Sequence, residues 1–509
     1  MSVAQGPIWH LPFRRNPFFT GREQVLDNLR VMLLASASAA LVQPPAISGL
    51  GGIGKTQTAI EYAYRYREEY AAVFWVQASS RETLIADITR SAALLHLPEQ
   101  DAREQNLILQ AFKRWLEANT DWLLIFDNAD DLHIVEDILP ARNSGHILFT
   151  TRATAMGDLA QRVSIDEMDR AEGSLLLLRR AKKLSTNAPL TDASPADLAA
   201  AQAIVDALDG LPLALDQAGA YIEETECSLS DYLQLYRTHL LEERDKRKDA
   251  HPEPVATTWA ISFNNVQQAN PAAADLMRLC AFLAPDDIPE EMILAAPKDI
   301  ETKLQSLVNN PHRLNMAIKE LLKYSLLRRN SDEHTIVVHR LVQAVLKGEM
   351  DEETQKQWAE RTIRVIDWSF PDVKAVEEWP KCLQWLPHAL ICASFIEQWN
   401  LAFPEAARLL NKAGYYLDDR AQYQEAEPLY QQALAIHKDV LGDRHPDTAT
   451  SLNNLGLLYQ AQGKLAEAES LYRQALEIFK QVLGPDHPNT RTVQGNYDYL
   501  LQQMKRGSE

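Results

Sequence analysis

One short segment of the chain has residue types and spacing suited to binding nucleotide phosphates. Residues 49–56, GLGGIGKT, fit the P-loop pattern G-x-x-x-x-G-K-[ST] and lie between a short apolar run and a helical stretch. Glycines let backbone N–H groups wrap the phosphates, and the helix adds the positive end of its dipole. We expect Lys55 to reach the β- and γ-phosphates and Thr56 to bind Mg²⁺. The sequence therefore predicts a site for ATP or ADP with Mg²⁺, formed by Gly49, Gly51, Gly52, Ile53, Gly54, Lys55, Thr56 and Gln57.

A P-loop needs a second metal-side carboxylate at the end of a buried strand. Asp127 follows the apolar run LLIF at residues 123–126, although an Asp here can also cap a helix or form a turn. Asn128 has no basic carboxylate to abstract a proton. Asp130 and Asp131 lie on the same loop, and one of them is a candidate for polarising the attacking water. We therefore predict Asp127 as a metal ligand and expect slow hydrolysis.

An arginine follows the next apolar run. Arg152 comes directly after HILFTT at residues 146–151. At the tip of a strand in a parallel P-loop sheet, its guanidinium is expected to contact the γ-phosphate. The alternative is a surface arginine that closes the strand.

These residues must be positioned by an α/β domain. Between about Arg22 and Arg162, helical stretches alternate with short apolar runs bounded by turn residues, which predicts a parallel sheet with both faces covered. The runs are Pro45–Ser48, Val73–Val76, Leu123–Phe126 and Ile147–Thr150.

The last hundred residues repeat. The segment 425–448 returns at 467–490 with an offset of 42 residues. This period, with small and large residues at matching positions, predicts tetratricopeptide repeats that resemble the long-helix repeats of kinesin light chains. Residues 491–505 are expected to form one further helix. The repeat positions are held by Ala413, Gly414, Leu417, Ala426, Tyr430 and Ala433, then by Leu455, Gly456, Tyr459, Ala468, Tyr472 and Ala475.

The predicted fold class is multidomain α/β plus α. Between the two ends, residues 325–329 and 335–338 flank a polar turn and suggest the hairpin of a winged-helix unit. The predicted domains are an N-terminal segment (1–20), a P-loop domain (21–165), a helical domain (166–254), a winged-helix domain (255–350), a helical linker (351–405) and the repeats with a capping helix (406–509).

Composition narrows the class of protein. The chain has 509 residues and a net charge of −19, which argues against a surface built for nucleic acid. No signal peptide is evident, and no run approaches the ~20 apolar residues that span a bilayer. The four cysteines are far apart, as expected for reduced thiols. We expect a soluble cytoplasmic protein with no membrane partner.

The order of the motifs resembles the NB-ARC branch of the STAND ATPases, relatives of plant resistance proteins and of the animal apoptosome protein. The resemblance covers roughly residues 16–350. Its motifs are FFTGRE at 18–23, the P-loop, LLIFDNADD at 123–131, FTTR at 149–152, GLPLAL at 210–215 and VHRL at 338–341.

The resemblance implies roles for two distant residues. Pro212 would pack beside the nucleotide, although Pro is also favoured at an ordinary helix start. His339 would contact the β-phosphate of ADP and lock a closed state. Val338 and Arg340 replace the Met and Asp of the family signature, so the part played by that Asp is not expected here.

Three functions remain open. The favoured one is a signalling switch, closed with ADP and open with ATP, that hydrolyses ATP slowly and forms a homo-oligomer when the repeats bind a protein or peptide ligand. The alternatives are a remodelling ATPase resembling AAA+ machines and a repeat scaffold that nucleotide merely stabilises. About 15 residues precede the resemblance, too few for an effector domain. A separate effector protein, signalling by assembly alone, or a chain that is a fragment would each explain this.

Overall fold

The computed structural model describes residues 7–38, 43–141, 145–153, 156–157, 159–246, 254–297, 300 and 302–506. The chain forms two compact units. Unit 1 comprises Met1–Met277 with His312–Glu349, and unit 2 comprises Arg278–Pro311 with Met350–Glu509. The charged segment predicted to end the helical domain at about residue 254 falls mostly outside the described residues.

The strands are short. In chain order they are β1 (Ile8–His10), β2 (Pro45–Ser48), β3 (Ala72–Gln77), β4 (Trp122–Asp127), β5 (His146–Thr151), β6 (Gln161–Ser164), β7 (Ile288–Pro289), β8 (Arg328–Asn330) and β9 (Thr335–Val337).

Helices account for most of the remaining structure. They are α1 (Glu23–Ser38), α2 (Lys55–Arg65), α3 (Arg81–Leu94), α4 (Gln105–Ala118), α5 (Arg170–Arg180), α6 (Pro195–Ala207), α7 (Pro212–Thr225), α8 (Leu229–Lys246), α9 (Pro254–Ala269), α10 (Pro271–Ala281), α11 (Glu290–Leu294), α12 (Pro311–Lys323), α13 (Arg340–Gly348), α14 (Glu352–Ser369), α15 (Trp379–Gln398), α16 (Pro404–Asp419), α17 (Tyr423–Leu441), α18 (Pro446–Ala461), α19 (Leu465–Val482) and α20 (Pro488–Arg506).

The centre of unit 1 is a parallel sheet with the strand order β1-β3-β4-β5-β2-β6. Alternate residues of its strands enter two hydrophobic cores, one on each face. Phe74 and Leu124 belong to one core, whereas Trp75 and Ile125 belong to the other. The predicted α/β fold with both faces covered is therefore confirmed. Strand β5 lies between the P-loop strand β2 and strand β4, so Asp127 and Thr151 are the last residues of neighbouring strands.

Two strands were not among the predicted runs. Residues 1–20 were predicted only as an N-terminal segment outside the P-loop domain, but Ile8–His10 pair with Ala72–Phe74 at one edge of the sheet. At the other edge, Gln161–Ser164 pair with Pro45–Ser48. Both strands are too short to show a pattern of their own, and their pairing depends on contacts with distant segments.

The N-terminal segment also contacts two other parts of unit 1. Arg15 donates from Nε and Nη2 to the buried Glu61 carboxylate of α2, at 2.9 and 2.7 Å. The Asn330 side chain donates to the carbonyl of Pro12 at 3.3 Å. Residues 8–16 therefore join the P-loop helix to the turn between β8 and β9.

The expected hairpin is present within residues 325–338, with β8 and β9 antiparallel. Its register pairs Arg328 with Val337 and Asn330 with Thr335. The first strand begins at Arg328 rather than at residue 325. The winged-helix assignment and the other domain boundaries remain predictions.

Unit 2 contains the repeated helices. A Cβ added at Gly414 would lie 3.0 Å from the Tyr430 ring, and one added at Gly456 would lie 2.9 Å from the Tyr472 ring. Each tyrosine is fully buried, so each glycine lets two helices of a hairpin approach closely. The expected final helix is present as α20. In the described part of the chain, none of the helices combines the length and apolarity needed to cross a membrane.

Candidate nucleotide-binding site

The P-loop connects the end of β2 to the start of α2. Gly52 and Gly54 have φ angles of 79° and 97°, in the left-handed region that favours glycine. A Cβ added at Gly51 would meet nothing within 4 Å, so the middle of the loop faces open space. The Lys55 ammonium donates to the carbonyls of Gly49 and Leu50 at 2.7 and 2.8 Å. The loop thus has the exposed backbone and the cation that a phosphate cradle requires.

Asp127 lies beside the P-loop threonine. Its Oδ1 accepts hydrogen bonds from Thr56 Oγ1 at 2.9 Å and from Thr150 Oγ1. Its Oδ2 accepts from Gln77 Nε2 at 3.4 Å and from Asn128 Nδ2 at 3.3 Å. Burial raises the pKa of Asp127, and the hydrogen bonds from Thr150 and Thr56 and the charge of Arg340 oppose that shift.

The Thr56 and Asp127 pair fits a magnesium site. Mg²⁺ prefers hard oxygen ligands and is usually held by one or two protein groups together with substrate phosphates. The Thr56 hydroxyl and the Asp127 carboxylate are such ligands, and they already lie within hydrogen-bond distance of each other. The arrangement therefore suits a metal held between the protein and a bound nucleotide.

Asp130 and Arg152 form a hydrogen-bonded ion pair just beyond the ends of β4 and β5. Asp130 Oδ1 accepts from the backbone N–H of Arg152 at 2.6 Å, and Oδ2 accepts from Arg152 Nε at 2.7 Å. Burial would raise the pKa of Asp130, but the hydrogen bonds and charge of Arg152 outweigh it and lower the pKa. Both oxygens of this carboxylate are therefore committed to Arg152 and its neighbour Thr151, which donates at 3.2 Å.

Two later segments reach the P-loop. The backbone N–H of Leu213, next to Pro212 at the start of α7, donates to the carbonyl of Gly52 at 3.3 Å. A Cβ added at Gly54 would lie 4.0 Å from Pro212 Cγ, and one added at Gly52 would lie 3.6 Å from Leu341 Cδ2. Pro212 is also the first residue of its helix, as at an ordinary helix start, and its packing beside a nucleotide stays a prediction.

His339 is the N-cap of α13. Its Nδ1 accepts a hydrogen bond from the backbone N–H of Leu341 at 3.1 Å, so a neutral ring carries its proton on Nε2. Solvent reaches the ring, yet protein surrounds it closely enough that desolvation lowers its pKa to about 4, with smaller effects of Arg328, Lys55 and Arg340. The imidazole is therefore a neutral donor at pH 7.

The remaining predicted residues lie on the same loop and helix. Ile53 is buried in the core beneath the sheet, and Gln57 is half-buried on α2. Asp131 caps the short turn that follows by accepting from the backbone N–H of His133 at 3.0 Å.

The sequence predictions missed three residues. Gln77 and Thr150 contact Asp127, and Arg328 acts electrostatically on His339. Gln77 directly follows a predicted apolar run, so a polar residue at the end of a strand was the available signal. Arg328 was missed because residues 325–329 were predicted only as one strand of the hairpin, with no role at the site.

Comparison with known proteins agrees with this geometry. Residues 22–178 match the NB-ARC domain family, residues 405–481 and 452–506 match the tetratricopeptide repeat family, and residues 264–355 match a domain of unknown function. A nucleotide-binding leucine-rich repeat (NLR)-like protein of Hyaloscypha variabilis is 31% identical over 482 residues, covering 86% of this chain and 45% of that protein.

Two further proteins are similar. The regulatory protein AfsR of Streptomyces coelicolor is 27% identical over 311 residues, covering 57% of this chain and 30% of its own length. The chain thus spans less than half the length of these relatives. The crystal structure of a STAND protein with a tetratricopeptide repeat sensor from Pyrococcus horikoshii aligns with 97% of this chain and 81% of its own, at 14% identity. Its TM-score is 0.42.

The domain matches cover the P-loop, Asp127 and the repeated helices. An NB-ARC domain at residues 22–178 and tetratricopeptide repeats at residues 405–506 confirm the resemblance of this chain to NLR-like NB-ARC proteins with such repeats.

Proposed function

We propose that the protein is a nucleotide-dependent signalling switch. ADP holds a closed resting state, and exchange for ATP opens the chain and lets it form a homo-oligomer. The tetratricopeptide repeats bind the protein or peptide ligand that triggers this exchange. The protein hydrolyses ATP slowly, which returns it to the resting state.

The observation that supports this proposal is the convergence of two later segments on the P-loop. Leu213 donates to the Gly52 carbonyl at 3.3 Å, and Leu341 lies 3.6 Å from a Cβ added at Gly52. A nucleotide in the cradle would therefore meet Pro212 and His339 as well as the P-loop. A ligand shifts an equilibrium only by its differential affinity for two states. The contacts of Pro212 and His339 with a bound nucleotide would supply this difference in affinity. They can form only while the two later segments remain packed on the P-loop.

Each nucleotide-binding residue has a definite part in this proposal. Lys55 and the P-loop N–H groups bind the phosphates, Pro212 packs beside the nucleotide, and the Nε2–H of His339 donates to the terminal phosphate of ADP. Thr56 and Asp127 hold Mg²⁺, which neutralises phosphate charge when bound. Arg152 contacts the γ-phosphate when ATP is present.

Slow hydrolysis follows from the groups next to Asp127. Asn128 donates its amide to Asp127 Oδ2 and to Gln77 Oε1, both at 3.3 Å, and it has no basic carboxylate. The carboxylate of Asp130 is paired with Arg152. Of the two loop carboxylates that are candidates for polarising the attacking water, Asp130 is therefore engaged by Arg152, and Asp131 accepts the backbone N–H of His133 at 3.0 Å.

The experiment is to identify the nucleotide that co-purifies and to measure particle mass with ADP, with ATP and Mg²⁺, and in Lys55→Ala. We expect ADP in a monomer, and a defined oligomer with ATP that the variant does not form. One mass under every condition would contradict the switch and leave the repeat scaffold as the better account. Fast basal turnover without a partner would instead support a remodelling ATPase.

A further inference from the structure

Among the described residues, Arg328 is a cation that forms no ion pair within 4.0 Å. The residue begins β8, solvent reaches its side chain, and no carboxylate of a described residue forms an ion pair with it. Asp216 is the acidic residue that acts on Arg328 electrostatically. The Asp216 carboxylate, however, pairs with Arg180 at 3.3 Å. Desolvation lowers the pKa of Arg328, so protein surrounds this guanidinium although water reaches it.

The hairpin places Arg328 and His339 on one face. Arg328 is opposite Val337 in the register, and Arg329 is opposite Ile336. Opposed side chains lie on the same face, and the face alternates along a strand. Arg328, Val337 and His339 therefore share one face, on which Arg328 and His339 are exposed and Val337 is half-buried, whereas Ile336 and Val338 are buried on the other.

This face adjoins the P-loop. Leu341, whose N–H is bound by His339 Nδ1, reaches Gly52. The charges of Arg328, Lys55 and Arg340 act on the His339 ring. Three cations and a neutral N–H donor thus lie close enough to interact beside the P-loop. Like charges in such an arrangement repel one another, and a multivalent anion between them would remove that repulsion.

We propose that Arg328 binds the terminal phosphate of the nucleoside diphosphate, together with Lys55 and His339. The inference rests on the proposed function and adds a residue of the hairpin to the site. Arginine suits this part because its planar guanidinium forms paired hydrogen bonds with phosphate oxygens. The contact between Arg328 and the phosphate makes the hairpin a sensor of the diphosphate, because this contact exists only while the hairpin remains packed near the P-loop.

The test uses the full chain with Arg328→Ala, and Arg329→Ala as the matched control from the opposite face. ADP affinity is measured by calorimetry, and the melting temperature is measured without and with ADP. We expect Arg328→Ala to weaken ADP binding about tenfold or more, since charge-assisted phosphate contacts are strong. The melting temperature without nucleotide should not fall, because no ion pair is lost. Arg329→Ala should leave the ADP affinity within twofold of the parent.

Other outcomes would overturn the inference. An ADP affinity of Arg328→Ala within twofold of the parent would exclude the phosphate contact. A melting temperature that falls without nucleotide, in step with ADP affinity, would indicate a structural role. If the alanine variant does not fold, Arg328→Gln keeps the side-chain length without the charge and is judged by the same criteria.

Lys55→Ala separates the two proposals. If it abolishes ADP binding while Arg328→Ala leaves the ADP affinity within twofold of the parent, the contact by Arg328 is wrong and the nucleotide site stands. If Lys55→Ala binds ADP as tightly as the parent, Lys55 does not contact the phosphates, and the proposed function and the inference, which both need that contact, fail.

Discussion

The carboxylate of Asp130 binds Arg152 twice, through its backbone N–H at 2.6 Å and its guanidinium Nε at 2.7 Å. The residue proposed to contact a γ-phosphate is therefore already held by an anion of the protein. A γ-phosphate would compete with Asp130 for the guanidinium. The two residues are 22 positions apart, and they meet because β4 and β5 are neighbours in the sheet.

Asp130→Asn should shift nucleotide preference towards ATP. The Arg152 side chain is 61% exposed, and exposed pairs of this kind contribute about 1 kcal/mol or less. Its loss should therefore raise the ATP-to-ADP affinity ratio by up to about fivefold. Competition binding measures this ratio. Asp131→Asn, which removes a neighbouring charge but keeps the oxygen that caps the turn, is the control and should leave the ratio unchanged. A hydrolysis rate that falls more than about tenfold in Asp130→Asn, with the ratio unchanged, would instead identify Asp130 as the general base.

Arg15→Ala should destabilise unit 1, and Arg14→Ala should not. Arg15 binds Glu61, whose side chain is 4% exposed, whereas Arg14 and its partner Asp332 are both 81% exposed. Removing Arg15 leaves a buried carboxylate with fewer partners, which costs about 1–3 kcal/mol. Urea unfolding of both variants measures the difference. Equal midpoints would show that the bond from Arg15 to α2 contributes no stability.

Gly456→Ala should destabilise unit 2, and Gly495→Ala should not. Both glycines lie within helices, but a Cβ at Gly456 would lie 2.9 Å from the buried Tyr472 ring, whereas one at Gly495 would meet nothing within 4 Å. Overpacking costs about 1–3 kcal/mol, and alanine at an open helix position gains about 0.5–1 kcal/mol. The melting temperatures should move in opposite directions. A rise in both would show that Tyr472 moves aside at little cost.

Acid should weaken unit 2 through His388. Burial lowers the pKa of His388 to about 4, partly opposed by Asp287. An unfolded histidine titrates near ~6.5, so between these values the unfolded state binds more protons. The free energy of unfolding should therefore be fully retained above pH ~6.5 and fall on acidification towards pH ~4, by on the order of 3 kcal/mol.

Urea unfolding between pH 7.5 and 4.5 measures this dependence. His388→Gln should flatten it, and His312→Gln at an exposed position should not. An unchanged pH profile in His388→Gln would assign the acid sensitivity to other groups.

Local motifs made much of the site predictable. The P-loop and Asp127 are recognisable because glycines, a lysine and a carboxylate after an apolar run stand in short, fixed patterns. The core strands β2 to β5 were likewise found within one or two residues of their observed bounds. These strands are buried on both faces and therefore have continuous apolar runs.

Contacts between distant segments were not predictable. Ile8–His10 become a strand only because Ala72–Phe74 offer an edge to pair with. Arg328 lies near His339 because the hairpin register pairs Arg328 with Val337. The pairing of Asp130 with Arg152 depends on strand order, although each residue was singled out separately. The number of residues between two positions in the sequence does not show how far apart they lie in the folded chain.

The glycine–tyrosine contact in each helical hairpin has a consequence for how the repeat region changes over time. The contact of Gly414 with Tyr430 is repeated by Gly456 with Tyr472, 42 residues later, and each such contact is called a joint here. Because each joint is complete within its own hairpin, a gene duplication of one 42-residue block would add a hairpin that already contains its own packing. The recognition surface could thus lengthen or shorten by whole blocks during evolution, without compensating mutations inside the blocks that remain.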